Sequence, residues 1–269
     1  MTSASIRIVP DATSPLLPVR KVAIVGIAGG LLSGLFGVGG GIVMVPLLAL
    51  WLGLEQRRAI ATSLIAIIPI ALAGMIGYAA GSAVDWGAGL ALGLGGVMGG
   101  QLGVWLLPRV PVRILQGIFA LILLYSAYRL VFPGGDVGSG AGQSTDQLWL
   151  LLVVVGVAAG VLAGLLGVGG GIILVPGLVL LIGATINTAR GTSLLVVVFT
   201  AVTASIPNVR NGRADTRDGV IVGLAGAPAA LVGAFLGQSL PAQQASWLFA
   251  ALLVFAASQM GIRAVRTPR

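Results

Sequence analysis

The sequence predicts an all-α integral membrane protein of two tandem repeats, and three observations predict it. Hydrophobic residues make up 57% of the 269 and charged residues only 8%, whereas an ordinary soluble domain carries about 25% charged residues. Apolar stretches long enough to cross a hydrocarbon core of about 30 Å recur along the chain, divided by short polar breaks. The chain also repeats itself: Gly34-Leu35-Phe36-Gly37-Val38-Gly39-Gly40-Gly41-Ile42 returns as Gly164-Leu165-Leu166-Gly167-Val168-Gly169-Gly170-Gly171-Ile172, an offset of 130 residues. Without a gap, that offset also pairs Val45-Pro46 with Val175-Pro176, Gly53 with Gly183, Thr62-Ser63-Leu64 with Thr192-Ser193-Leu194, Asp85 with Asp215, Gly103 with Gly233 and Pro111 with Pro241.

Taken in order, residues 1–18 read as a cytoplasmic tail, because the apolar run Ile24 to Phe36 offers no convincing signal-peptide cleavage site. The first membrane repeat covers 19–132, with apolar segments at 19–36, 42–54, 58–80, 87–107 and 112–132. A Gly/Ser/Asp-rich stretch, 133–147, reads as a flexible linker. The second repeat, 148–263, has its segments at 148–166, 172–183, 191–209, 219–237 and 243–262, and 264–269 closes the chain as a second cytoplasmic tail. In each half the second segment is too short to span: about twelve residues make a helix of about 18 Å. Either it joins the first segment as one broken span, or the two form a hairpin that returns to the side it came from.

The positive-inside rule separates these two topologies. With a hairpin, Arg7, Arg20, Lys21, Arg57, Arg58, Arg109, Arg113, Arg210, Arg213, Arg217, Arg263, Arg266 and Arg269 are cytoplasmic and only Arg129 and Arg190 lie outside, a division of 13 to 2. With a broken span the division is 10 to 5. The hairpin reading gives each half an odd number of passes. The halves are then expected to be inverted, each a Gly-rich broken-helix hairpin plus three transmembrane helices, with both termini cytoplasmic. Inverted repeats of this kind build substrate sites near the midplane from broken helices.

The candidate binding residues follow from that expectation. Gly37, Gly39, Gly40 and Gly41, with Gly167, Gly169, Gly170 and Gly171, form unwound backbone, which a membrane interior tolerates only against protein or a cavity. Each run precedes a short helix whose free N–H groups and positive dipole end favour an anion. The same glycines would equally permit a tight turn and close helix packing. Thr62 and Ser63, with Thr192 and Ser193, open the third segment of each half; their hydroxyls could donate to an oxyanion or bond back to their own helices. Asn208, matched by Tyr78, could line an entrance or sit at the interface. Arg190 precedes the second Thr-Ser pair at what reads as an exposed helix start, where the other half has Ile60, and serves equally as an interfacial charge or a ligand.

Other polar positions have structural readings. Asp85 and Asp215 each precede a helix and read as N-caps. Gly93, Gly96, Gly99, Gly100 and Gly103, echoed by Gly223, Gly226, Gly233 and Gly237, make a small-residue packing face. Trp51, Trp86, Trp149 and Trp247 fall near segment ends, as an aromatic belt would.

Several functions are disfavoured. The formal charge of +8 sits at segment ends and reads as topology, so no nucleic acid is expected as partner. With no cysteine and no histidine, the usual thiolate, metal ligand and general base are missing. No catalytic residue, metal or cofactor is expected; the expected partners are a small anion and the lipid bilayer. No charged residue falls in the middle of any predicted span, which argues against a carboxylate proton relay.

Gly-Leu-Phe-Gly-Val-Gly-Gly-Gly with Val-Pro four residues on, then Ala-Thr-Ser-Leu or Gly-Thr-Ser-Leu at the next span, all twice, resembles the TauE/SafE-type sulfite exporter family over nearly the whole chain. That resemblance implies a bacterial inner-membrane permease, not an enzyme, moving a small anion such as sulfite or an organosulfonate by alternating access. The alternative is an anion channel with the glycine turns as its filter.

Overall fold

A computed structural model of the chain describes residues 18–106, 120–121, 123–128, 131–132, 145–166 and 169–266, and all of its regular structure there is helical. The first half contains α1 (Val19–Phe36), a short α2 (Gly41–Pro46) that widens into a π-helical turn over Leu47–Trp51, α3 (Gln56–Ala80), α4 (Trp86–Leu106), and α5, described at helical residues between 120 and 131. The second half contains α6 (Thr145–Leu166), α7 (Gly171–Ile182), α8 (Ile186–Arg210), α9 (Thr216–Ser239) and α10 (Ala242–Arg266). Among the described residues four of them, α1, α3, α8 and α9, are long and apolar enough to cross a membrane. Large apolar side chains such as Leu90, Leu94, Met98 and Leu102 point outward along one face of α4, the signature of a lipid-facing surface. Trp51, Trp86, Trp149 and Trp247 are all exposed.

Glycine turns end the first helix of each half. Gly37 closes α1 in the left-handed conformation, φ 73°, and its N–H donates to the Ser33 carbonyl at 2.7 Å. Gly39 and Gly40 then turn the chain with φ 78° and 74°, and their matched residues Gly169 and Gly170 do so with 80° and 78°. A side chain at any of these positions would carry the left-handed penalty of about 1–2 kcal/mol. Gly39-Gly40 and Gly169-Gly170 therefore share one backbone conformation as well as one sequence.

The helices interleave between halves. In the first half Gly26 of α1 lies against Val222 of α9 and Gly30 against Gly226; in the second, Gly156 of α6 lies against Leu92 of α4 and Gly160 against Gly96. Moving every partner by 130 positions converts one set of contacts into the other. The first helix of each half thus packs on the fourth helix of the other, and the absence of side chains at these glycines brings backbones together.

Helix directions follow from the order of these contacts. Rising along α9, Gly219, Gly223 and Gly226 meet Thr62, Ala66 and Ile70 of α3, while Val222, Gly226 and Ala230 meet Gly26, Gly30 and Gly34 of α1. Hence α1, α3 and α9 run parallel. By the same ordering α4 runs parallel to α6, through Gly95–Val153 and Gly99–Val157, and to α8, through Gly89–Leu195 and Gly93–Phe199. Between the sets the order reverses, since Gly74 of α3 meets Leu194 of α8 and Tyr78 meets Gly191. With α1 and α3 parallel, α2 must carry the chain back to the end where α1 began, the return that a hairpin requires.

Candidate functional site

The site is best built from α8, which faces both glycine turns. A Cβ added at Gly171 would lie 2.7 Å from Val38 Cα and 2.9 Å from the Gly37 carbonyl oxygen, so the start of α7 rests directly on the first turn. Ser193 ties that junction together: its hydroxyl donates to the Gly37 carbonyl at 2.9 Å and lies 3.5 Å from the Gly171 carbonyl. Two helical turns further on, Thr200 donates to the Gly169 carbonyl at 3.1 Å. Gly37, Gly39, Gly40 and Gly41 are buried, as are Gly169, Gly170 and Gly171. Gly167 lies outside the described residues.

Thr62 and Thr192 form a second, symmetric feature. The Thr192 hydroxyl oxygen accepts the Asp85 N–H at 2.8 Å, and the Thr62 oxygen accepts the Asp215 N–H at 3.0 Å. Each threonine therefore holds the helix start of the opposite half, and both are fully buried. Asp85 and Asp215 act as the N-caps expected of them, accepting from the N–H groups of Ala88 and Asp218. Ser63 is also buried and donates to the Ile60 carbonyl at 2.8 Å. Asn208 is not brought to the junction. It lies about 22 Å along α8 from Ser193 at 1.5 Å per residue, and its amide bonds back to the Ala204 carbonyl at 2.8 Å.

Arg190 corrects the sequence reading. The third segment of the second half does not begin at 191, with Arg190 on an exposed start; α8 begins at Ile186, capped by the Thr185 hydroxyl, which accepts from the Thr188 N–H. Arg190 therefore lies inside the helix and is 0% exposed. Its guanidinium donates to the Gly237 carbonyl at 3.3 Å through one terminal nitrogen and to the Ala245 carbonyl at 3.1 Å through the other, and it sits 6.0 Å from the centre of the Phe36 ring. The Nε has no partner, and among the described residues no carboxylate forms an ion pair with it. Arg190 is the fifth residue of α8, and a charge buried this close to a helix end still needs partners for its guanidinium.

The surroundings of Arg190 are those of the glycine junction. Gly37 packs on its backbone, where an added Cβ would stand 2.6 Å from Arg190 Cα. Tyr78, also fully buried, donates its hydroxyl to the Gly34 carbonyl at 3.0 Å, and a Cβ at Gly237 would come within 2.5 Å of that oxygen. Sequence reasoning put Tyr78 beside Asn208 only as its repeat partner, and read Gly237 as packing alone.

Charge elsewhere is segregated. Arg20 and Lys21 at the start of α1, Arg57 and Arg58 at the start of α3, Arg210 at the end of α8 and Arg213 and Arg217 before and within α9 all sit at the end where α1, α3 and α9 begin.

The comparisons with known proteins agree on a class. The sequence pattern of the family described as "Sulfite exporter TauE/SafE" matches residues 4–130 and 152–269. "Probable membrane transporter protein YdhB" of Bacillus subtilis is 28% identical over 188 residues, 69% of this chain and 77% of that protein. "Probable membrane transporter protein" of Xylella fastidiosa strain 9a5c is 33% identical over 114 residues, 42% of this chain and 44% of its own length, and "Probable membrane transporter protein YunE" of Bacillus subtilis is 28% identical over 127 residues, 45% and 46%. Against the last two, the alignment thus spans less than half of the curated relative. No solved structure matches.

Proposed function

The chain belongs to the sulfite exporter TauE/SafE family, a family of membrane transporters, and from that premise we propose that it carries a small anion, a sulfur oxyanion such as sulfite or an organosulfonate, by alternating access. The observation that carries this reading is the junction at which Gly171 rests on Gly37 and Val38 with Ser193 bridging both. Two broken-helix turns from different halves meet there, the position at which inverted-repeat carriers bind substrate. The contacts that exchange on moving 130 positions, together with the reversed direction of α3 against α8, support reading the halves as inverted repeats. Rocking of one half against the other then exposes the junction to either side of the membrane in turn.

The protein is read as lying in a bacterial inner membrane with the basic ends of α1, α3 and α9 in the cytoplasm. The chain has no cysteine, so single cysteines report the topology cleanly. Ser82→Cys, after α3, should react with an impermeant maleimide added outside, and Asn211→Cys, after α8, only after the membrane is opened; the reverse pattern, or both labelled from one side, breaks the inverted arrangement.

Radiolabelled sulfite flux in proteoliposomes tests the transport itself. Saturable uptake accelerated by internal unlabelled sulfite marks a carrier. Ohmic single-channel currents would instead make the glycine junction a filter, and no movement of sulfite, sulfate or sulfoacetate would remove the oxyanion reading.

A further inference from the structure

We propose that Arg190 is the cationic ligand of the transported anion, held between transport events on the backbone carbonyls of Gly237 and Ala245 and released from them when an oxyanion binds. The inference rests on the carrier reading above and names the charge on which that reading depends.

The argument begins with what the present contacts leave undone. Gly237 lies in the last turn of α9, so its carbonyl is one of those that a helix end leaves without an intrahelical partner, and a cation there also meets the negative end of the helix dipole. That accounts for one terminal nitrogen and part of the charge. Ala245 lies in the first turn of α10 and supplies a second neutral acceptor. A whole positive charge remains fully buried, with Nε unbonded and no carboxylate paired to it among the described residues. Charged side chains inside membrane proteins pair with one another or with backbone carbonyls; Arg190 has two carbonyls, and its Nε is left over.

Position supplies the second part. Arg190 and Ser193 are three residues apart on α8 and so share a face of the helix. That face is the one on which the first glycine turn lies, since Gly37 touches the Arg190 backbone and accepts from the Ser193 hydroxyl. Helix α8 thus places a charged residue, Arg190, whose backbone touches the first glycine turn, three residues before the serine that bridges the junction, and its planar fork matches two oxygens of an oxyanion better than a spherical halide. An anion offers Arg190 charged acceptors in place of two neutral carbonyls. Exchange of partners would loosen α8 from α9 and α10 at the same moment that it holds the substrate, which ties binding to helix movement.

Proteoliposomes containing the full chain, assayed for radiolabelled sulfite uptake with sulfate and chloride as competitors, test this with two variants. Arg190→Gln should lower the uptake efficiency at least a hundredfold while the protein stays monodisperse in detergent. Arg190→Lys keeps the charge, and hence the electrostatic reason for the fold, but loses the bidentate fork; its KM should rise about tenfold and its preference for sulfite over chloride should shrink, with maximal flux changed far less. Wild-type KM and selectivity in Arg190→Lys, or wild-type uptake by Arg190→Gln, would overturn the role of Arg190 and leave the carrier standing. If the wild-type protein shows no saturable uptake of sulfite, the carrier reading fails and this proposal fails with it. Should Arg190→Gln not fold, the KM and selectivity of Arg190→Lys alone decide.

Discussion

The first turns of α3 and α8 are matched stretches of the repeat that share the Thr-Ser-Leu run and the alanine three residues before it, and differ elsewhere. Both carry the Thr-Ser pair, and both place the threonine against the opposite half's aspartate N–H. At one position in this shared frame the first half has Ile60 and the second has Arg190. On the proposal that Arg190 binds the anion, this difference separates scaffold from ligand. Contacts that hold the halves together need two copies, because each half must grip the other. Tyr78 meets Gly191 where α8 begins, and Ile60 lies 18 residues earlier on α3, so positions 60 and 190 sit at opposite ends of two antiparallel helices, about 27 Å apart at 1.5 Å per residue.

Several matched positions that differ between the halves lie around Arg190. Tyr78 answers to Asn208, Phe36 to Leu166 and Gly237 to Leu107, and in each pair the residue from the Arg190 side touches or neighbours the guanidinium. Four breaks in the symmetry, far apart in sequence, converge in space.

The largest effect should come from breaking the contact between halves at the junction. Gly171→Val would force a branched side chain onto Val38 and the Gly37 carbonyl. Displacing a binding site by about 1 Å can cost about a hundredfold in rate, and sulfite flux should fall by that order while the protein still assembles. Gly212→Ala is the contrast. Gly212 has φ 63° with nothing within 4 Å of an added Cβ, so it should lose only about 1 kcal/mol of stability, with flux unchanged. Equal losses of flux in the two variants would mean that backbone strain, and not the junction, governs transport.

A smaller effect tests the symmetry itself. Thr62→Val and Thr192→Val each remove the acceptor of a partly buried aspartate N–H, which costs about 1–3 kcal/mol. Because the two bonds are images of each other, 3.0 and 2.8 Å long, the two variants should be destabilised by similar amounts in detergent unfolding. A penalty confined to one of them would show that the halves are not energetically equivalent at the scaffold, and would weaken the assignment of asymmetry to the ligand alone.

How much of this was legible in the sequence depends on how local the signal was. Segment 19–36 coincides with α1, and the short second segments appear as α2 with its π-helical turn and as α7, because hydropathy and glycine act within a few residues of themselves. The distribution of arginines favours a return of the chain through α2, and the parallel course of α1 and α3 agrees with that reading. The start of α8 was not. Thr185-Ile186-Asn187-Thr188-Ala189-Arg190 is polar enough to read as a loop, and only the Thr185 cap and burial against the first glycine turn make it helix. The partners of Arg190 are 47 and 55 residues away, so no window along the chain contains them. One usable signal remained, the replacement of a repeated isoleucine by arginine, and it marks a position without saying which way the side chain faces.

The smallest predicted effect concerns the matched pair Tyr78 and Asn208. Tyr78→Phe removes a buried hydroxyl that donates from α3 to the Gly34 carbonyl of α1, beside Arg190, and should cost about 1 kcal/mol. Asn208→Ala removes only an amide bonded back to Ala204, one turn earlier in its own helix, and should cost less than about 0.5 kcal/mol. The two changes also differ in what they should do to transport. Tyr78 stands against Gly237, whose carbonyl holds Arg190, so losing its hydroxyl should shift the KM for sulfite severalfold. Asn208, some fifteen residues from Ser193, should leave KM within twofold. A large KM change in Asn208→Ala would move the anion's path to the far end of α8, and with it the claim that the two halves differ at one functional point.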